Sequence, residues 1–311
     1  MPTVKAKERE RVFSYRLSRK ILKNPTFIDL FAGIGGFHLA FKNLGAKCVF
    51  ASEWDEAARK TYEANHKKHD PELFESGNFV GDITKVNEKE IPDFDVLTGG
   101  FPCQPFSHAG FKKGFADPRG TLFYDVVRII AEKKPKAFFL ENVSHLLKHD
   151  GGVTFNTIKK TIEEELGYSF YHQIVRASDF GLPQHRRRLF MVGFRDNTIP
   201  FEFPKPIELK KTMSDIFGGD CPKKIGYTLR VGGRGSGIKD RRNWDSYMVN
   251  GKIKRLTPEE GKQMMGFPSS FVFPVSEAQA MKQLGNAVAV TAIQATAEQI
   301  LKQLELYDKS E

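Results

Sequence analysis

Cysteine is scarce. Three thiols, at Cys48, Cys103 and Cys221, stand in 311 residues. Three cannot build a disulfide framework, which fits a reducing, cytoplasmic setting. None belongs to a C-x-x-C or to a Cys/His pair at zinc spacing, so no metal is inferred. No apolar run approaches the ~20 residues of a membrane span, and the charged first residues are not an apolar secretory segment. Glycine (27) and proline (16) are too few for a collagen-like or low-complexity chain. Internal repeats are absent. So is the dinucleotide fingerprint: after Gly33 and Gly35 it needs a glycine at position 38, which is His38. What remains is globular material, 40% hydrophobic and 28% charged. It is long enough for a sizeable core and, at ~150 residues each, about two domains.

Charge is unevenly placed. The net charge is +10, of which residues 1–25 hold +6 and residues 205–256 hold +8, leaving −4 on the rest. A near-neutral body with two basic segments suggests a polyanion approached from particular faces. For the arm, a solvated surface is an equal reading; for 205–256, nucleic acid is favoured.

Apolar runs alternate with helical periods. Strands are expected at Thr26–Phe31, Lys47–Ala51, Asp95–Thr98, Ala137–Leu140, Tyr168–Arg176 and Leu189–Phe194. Helices are expected from the Gly-rich turn to about Leu44, from Asp55 to about Asn65, over Leu122–Lys133 and over Phe155–Leu166. This alternation argues for a mostly parallel sheet with helices on both faces. From Pro200 the chain turns Pro- and Gly-rich, and residues 201–275 read as a second, loop-rich domain. A long helix from Ala287 to about Leu306 is expected to pack back on the first domain.

Four segments carry chemistry. Phe31-Ala32-Gly33-Ile34-Gly35-Gly36 is a Gly-rich turn between strand and helix, and Glu53-Trp54 ends the next strand. Such a turn admits a nucleotide-like ligand, the acid accepting from ribose hydroxyls and the indole stacking on a base; a simple tight turn is the alternative. Pro102-Cys103-Gln104 sets a cysteine in a loop at a strand's C-terminal end, a place for a nucleophile that acts as thiolate. Cys48 and Cys221 are expected to be structural. Glu141-Asn142-Val143 ends another strand with an acid able to share a proton with a heterocycle. Gln184-His185-Arg186-Arg187-Arg188 brings guanidiniums beside a strand, suited to phosphate or a carbonyl.

With Arg255 to Pro268 and Gln283-Leu284-Gly285-Asn286-Ala287-Val288, these segments resemble, in order, the motifs of cytosine-5 DNA methyltransferases. The bacterial restriction–modification enzymes are most similar. The resemblance spans about residues 26–300; Ala287 departs from it, where the family usually has Ser.

The resemblance implies an α/β fold: a Rossmann-like class I methyltransferase with a mostly parallel twisted sheet and a smaller loop- and strand-rich target-recognition domain. Residues 26–200 and 276–311 would form the catalytic domain, 201–275 the recognition domain and 1–25 a basic arm. S-adenosylmethionine is the implied cofactor. Phe31, Gly33 and Gly35 would line its methionine part, Glu53 its ribose, and Trp54, Asp82 and Ile83 its adenine; Pro102 and Asn286 complete the pocket. Cys103 is the implied nucleophile and Glu141 the acid, with Arg186 and Arg188 flanking the target base. On this resemblance Cys103 would add to carbon 6 of a cytosine flipped out of the duplex, which would make carbon 5 nucleophilic toward the sulfonium methyl.

Gln104, Ser107 and Arg119 lie in a segment, Pro102 to about Leu122, expected to close over the flipped-out base. Thr228 and Arg230 fall in the family's Thr-Leu element. Arg230, Arg234, Arg241, Arg242 and Asn243 are candidates for base edges, with phosphate contact the alternative for each arginine. The expected partner is double-stranded DNA, for a monomer acting beside a separate restriction endonuclease in a prokaryotic cytoplasm. The rival readings are a tRNA cytosine-5 methyltransferase, whose Cys-Phe-Thr tripeptide is absent, a catalytically silent DNA-binding protein and, more distantly, a nicotinamide oxidoreductase.

Overall fold

Strands buried on both faces read as unbroken apolar runs, and the centre of the sheet is assembled from such runs, with the more polar edge strand Tyr171–Arg176 outside them. The computed structural model describes residues 24–102, 122–209 and 211–308. In chain order its first part runs β1 (Thr26–Leu30), α1 (Gly36–Asn43), β2 (Lys47–Ser52), α2 (Glu56–His66), α3 (Pro71–Glu75), β3 (Phe79–Val80), β4 (Val96–Gly99), α4 (Leu122–Lys133), β5 (Ala137–Val143), α5 (Val153–Lys160), β6 (Tyr171–Arg176) and β7 (Arg187–Phe194). These strands form one seven-stranded sheet in the order β3-β2-β1-β4-β5-β7-β6. The first five are parallel, whereas β7 inserts antiparallel between β5 and β6.

Alternate side chains feed two cores. Phe27, Val96, Phe139 and Phe190 face α1 and α2, joined by Phe37, Phe41 and Tyr62. Ile28, Leu97, Phe138 and Leu140 face α4 and α5, joined by Phe123, Val126, Ile130 and Ile158. The expected α/β sheet, covered on both faces, is present.

The later part is more ordered than its composition suggests. It runs α6 (Met213–Phe217), β8 (Ser246–Val249), β9 (Lys252–Arg255), α7 (Pro258–Met265), α8 (Glu277–Asn286) and α9 (Val290–Asp308). β8 and β9 pair as an antiparallel hairpin. Buried Met213, Leu229, Trp244, Tyr247 and Met264 are continuous with the α1 side of the main core. The long helix expected from Ala287 to about Leu306 is α9, which begins at Val290 because Ala287 is extended (φ −64, ψ 162); α8, which ends just before Ala287, was not expected. α9 packs against α1, with Ile293, Ala297, Ile300 and Leu304 buried.

Candidate active site

The turn after β1 is shaped by its own backbone. Phe31 takes a left-handed conformation (φ 56), which few non-glycine residues adopt, and Gly33 (φ 56) and Gly35 (φ 85) continue it. A Cβ on Gly35 would lie 2.1 Å from His66 Nε2, so the ring fills the space a side chain would need. A Cβ on Gly33 would meet nothing within 4 Å, so the turn opens outward there. Glu53, at the end of β2, braces it: Oε2 accepts from Gly33 N–H at 2.8 Å and Oε1 from Asp55 N–H at 2.8 Å. Burial raises the Glu53 carboxyl above the usual carboxylate range, against the pull of those N–H donors.

The other cofactor candidates gather at the same edge. Phe31, Glu53, Asp82 and Pro102 follow β1, β2, β3 and β4, and Glu141 lies near the end of β5. These strands are parallel, so all five reach the carboxyl edge, where open α/β sheets bind ligands. Trp54 is 81% exposed and lines a cleft with Asp55, Lys60, Pro274 and Ser276. Asp82 accepts from Thr84 N–H (3.1 Å) and Oγ1 (2.7 Å), capping a short turn that buries Ile83. Arg128 on α4 donates to the Ile83 and Val86 carbonyls at 2.7 and 2.9 Å and steadies that segment. Asn286 is exposed at the end of α8. The chain just beyond it touches the turn, since a Cβ on Gly36 would lie 2.5 Å from Val288 Cγ2.

Glu141 and Arg188 meet across the antiparallel pair. Arg188 stands opposite Val143, one pleat from Glu141. Its Nε lies 2.9 Å from Glu141 Oε1, a charge contact without directed hydrogen-bond geometry. A Cβ on Gly100 would be 3.4 Å from Glu141 Oε2. Asn142 Nδ2 donates to the Phe101 carbonyl at 2.8 Å. The acid therefore sits beside the backbone that leads into Cys103. Cys103, Gln104, Ser107 and Arg119 lie outside the described residues. Cys48 and Cys221 are both buried, and burial pushes the Cys48 thiol well up.

Arg186 occupies a different place from the one expected beside a base. It is 2% exposed, and its guanidinium donates to the carbonyls of Leu229 (3.3 Å), Gly285 (3.0 Å) and Ala287. Desolvation lowers its pKa to about 9. It bridges three segments: its own, the Thr-Leu element and the end of α8. Gly285 permits the junction, because a Cβ there would lie 2.5 Å from the Arg230 carbonyl carbon. Gln184 adds to it, accepting from Leu229 N–H at 3.1 Å and donating to the Met264 carbonyl at 3.1 Å. This bridging is the contribution that sequence reasoning missed. A Gln and an Arg spaced i, i+2 before a strand were its only signal.

The recognition candidates divide. Arg230 and Arg241 are exposed. Thr228 Oγ1 donates to the His185 carbonyl at 2.7 Å. Arg242 is exposed but grips Asp240, at 2.8 Å from Nη2 to Oδ2. Arg234 is turned inward, to Glu277 and to the Leu256 carbonyl at 2.9 Å. Asn243, expected at a base edge, is 5% exposed; both ends of its amide bond Ser246 at 2.9 and 3.0 Å.

Comparison with known proteins agrees with this geometry. The chain matches C-5 cytosine-specific DNA methylases over residues 25–232 and 228–302. It is 43% identical to the type II methyltransferase M.SsoII of Shigella sonnei, over 89% of this chain and 80% of that one. It is 40% identical to the type II methyltransferase M.HhaI of Haemophilus parahaemolyticus, over 88% and 94%. Among solved structures, the Entamoeba histolytica methyltransferase EhMeth superposes with a TM-score of 0.67 at 20% identity, covering 91% of this chain and 99% of that one. The S. pombe Dnmt2 methyltransferase gives 0.67 at 19% identity, covering 93% and 100%. At those identities the structural likeness speaks for the fold. The extent of the sequence matches shows that this chain belongs to the C-5 cytosine-specific DNA methylase family and is a DNA cytosine-5 methyltransferase.

Proposed function

We propose that the protein uses S-adenosylmethionine to methylate carbon 5 of a cytosine flipped out of a short, specific double-stranded DNA sequence. It does so as a monomer in the prokaryotic cytoplasm, protecting host DNA beside a separately acting restriction endonuclease. The observation that carries the reading is the tie from Asn142 to the Phe101 carbonyl, which sets the backbone entering Cys103 beside Glu141.

The carboxyl edge fits the donor. Gly33 leaves open space, the Glu53 carboxylate has lone pairs beyond its two backbone donors, and the Trp54 ring is exposed. Phe31, Gly33 and Gly35 would hold the amino-acid part, Glu53 the ribose, and Trp54, Asp82, Ile83, Pro102 and Asn286 the remainder. Bound there, S-adenosylmethionine supplies an electrophilic methyl group.

The protein's own task is to activate cytosine. The Cys103 thiolate forms a bond to carbon 6, and Glu141 holds a proton at ring nitrogen 3 as electron density moves onto carbon 5. Arg188 keeps the Glu141 carboxylate in place and presents a cation to the base. After methylation the carbon 5 proton leaves, and the electrons of that bond expel the thiolate. Arg186 acts through the junction it builds and touches no base.

Residues 26–200 and 276–311 serve as the catalytic part and 201–275 as the DNA-reading part, with the basic 1–25 arm adding phosphate affinity. Arg230, Arg241 and Thr228 face DNA, with Gln104, Ser107 and Arg119 contributing from the segment after Cys103. Bisulfite sequencing of plasmid from cells expressing the chain tests the reading. Protected cytosines within one short motif are expected; unmodified plasmid from cells holding folded protein contradicts it.

A further inference from the structure

Asp245 has no exposed surface, yet it carries a charge within the DNA-reading segment. Its Oδ2 accepts from Gly235 N–H at 3.1 Å. The same oxygen lies 3.4 Å from Arg255 Nε and 3.7 Å from Arg234 Nε. Arg234 reaches on to Glu277, in the first turn of α8. The preceding residue, Trp244, is 1% exposed and donates from Nε1 to the Gly232 carbonyl at 3.0 Å. The loop Gly232–Gly237 is thus pinned from beneath at two points by adjacent residues.

That loop cannot set its own shape. Gly232, Gly233, Gly235 and Gly237 are all exposed and carry no side chains to pack. Trp244 and Asp245 hold the loop from below, beside a Ser236 Oγ bond to the Gly233 carbonyl at 3.3 Å and the bond from Arg234 to the Leu256 carbonyl. The charges also balance: two guanidiniums, Arg234 and Arg255, face two carboxylates, Asp245 and Glu277. Buried Asp245 Oδ1 and Arg234 Nε nevertheless have no hydrogen-bond partner, so the contact between these two residues is one of charge, while hydrogen bonds tie Asp245 to Gly235 and Arg234 to Glu277 and the Leu256 carbonyl.

We propose that Asp245 is a specificity-determining positioning residue: its buried carboxylate fixes the Gly232–Gly237 loop, helps withhold Arg234 from DNA phosphates and engages the half-exposed Arg255 through its Nε. The inference rests on reading 201–275 as the DNA-facing part. Phosphate contacts strengthen binding to every sequence alike, whereas base edges and backbone shape discriminate. Keeping Arg234, and in part Arg255, occupied within the protein therefore favours discrimination over raw affinity.

The test uses the full chain, with duplexes containing or lacking the site located by bisulfite sequencing, over a range of salt concentrations. Asp245→Asn keeps the size and an acceptor for Gly235 while removing the charge. It is expected to bind the non-cognate duplex more tightly and to steepen the salt dependence by about one to two phosphate contacts. The cognate to non-cognate ratio should fall on the order of tenfold or more, a loss comparable to one good base contact. Affinity for S-adenosylmethionine should not change. Glu277→Gln, at a half-exposed helix position, removes one of the two carboxylate partners of Arg234 while leaving Arg255 with Asp245, and should raise the slope by up to about one. Should Asp245→Asn fail to fold, this second variant decides. An equal loss on both duplexes with unchanged slope means that the cluster only supports the fold, and overturns the proposal. Arg230→Ala and Arg241→Ala separate the two layers. If they alter DNA binding while Asp245→Asn and Glu277→Gln preserve discrimination, this proposal alone falls. If none of the four matters, the reading of 201–275 falls with it.

Discussion

Asn142 Nδ2 donates to the Phe101 carbonyl across 2.8 Å, joining the end of β5 to the chain two residues before Cys103. Both groups are buried, and Asn142 Oδ1 also accepts from Val143 N–H at 2.8 Å. One side chain therefore ties the chain that leads toward Cys103, the proposed nucleophile, to the strand end that carries Glu141.

Asn142→Ala should lower turnover rather than donor binding. A buried carbonyl left without its donor costs about 1–3 kcal/mol, and a misplaced nucleophile registers this in the barrier. A kcat reduced on the order of ten- to a hundredfold is expected, with unchanged KM for S-adenosylmethionine. Steady-state kinetics showing the loss in donor KM instead would place Asn142 in the cofactor pocket.

Glu53→Ala should weaken donor binding on the order of ten- to a hundredfold, the loss of a charge-assisted hydrogen bond of about 1.5–3 kcal/mol. The same change frees Gly33 N–H, so the turn loosens too. Calorimetric titration of a folded variant with wild-type affinity would remove Glu53 from the site.

Arg186 and Arg188 should separate stability from activity. Arg186→Lys cannot serve the Leu229, Gly285 and Ala287 carbonyls together, so a lower Tm is expected. Arg188→Lys should retain its Tm and lose kcat, because Arg188 contacts Glu141 at the reacting edge. Thermal melts and kinetics with the opposite pattern would exchange the two roles.

Stability should fall in mild acid. His38 and His66 stack with ring centroids 4.1 Å apart behind the Gly turn, and burial lowers both pKa values from the ordinary 6.5. His38 also meets Tyr62 Oη at 2.6 Å and Asp70 at 3.1 Å, with Lys42 beyond; His66 faces the Ile34 carbonyl at 3.4 Å. Well above pH ~6.5 both rings are neutral whether the chain is folded or not. As pH falls below that, the unfolded chain binds protons that the folded one resists. Stability then declines by up to about 1.4 kcal/mol per pH unit for each ring. Urea unfolding between pH 5 and 7.5 should show a smaller slope for His66→Phe than for wild type; equal slopes would mean that His66 does not titrate there.

The site was more legible than the later fold. Apolar runs ending in Gly or acid mark β1, β2, β4 and β5, because a sheet covered on both faces demands such runs. The Glu53 bond to Gly33 follows from their adjacent strand ends. Strand direction has no local signature, so the antiparallel insertion of β7, which delivers Arg188 to Glu141, was not visible. α7 was legible and passed over: Thr257 and Glu260 form a capping box with Pro258 at the first helical position. The inward turns of Arg186 and Arg234 depend on carbonyls and carboxylates distant in sequence, which charge counting cannot supply.

The covalent step is the centre of the account, and a mechanism-based adduct tests it most directly. If Cys103 adds to carbon 6, release requires the proton on carbon 5 to leave, and fluorine there cannot leave as a cation. A duplex with 5-fluorocytosine at the methylated position should give a denaturation-resistant protein–DNA adduct that requires S-adenosylmethionine. Cys103→Ala should abolish it, while Cys48→Ala and Cys221→Ala should retain it. No adduct on a duplex whose unfluorinated form is demonstrably methylated, or an adduct that survives Cys103→Ala, would contradict the mechanism.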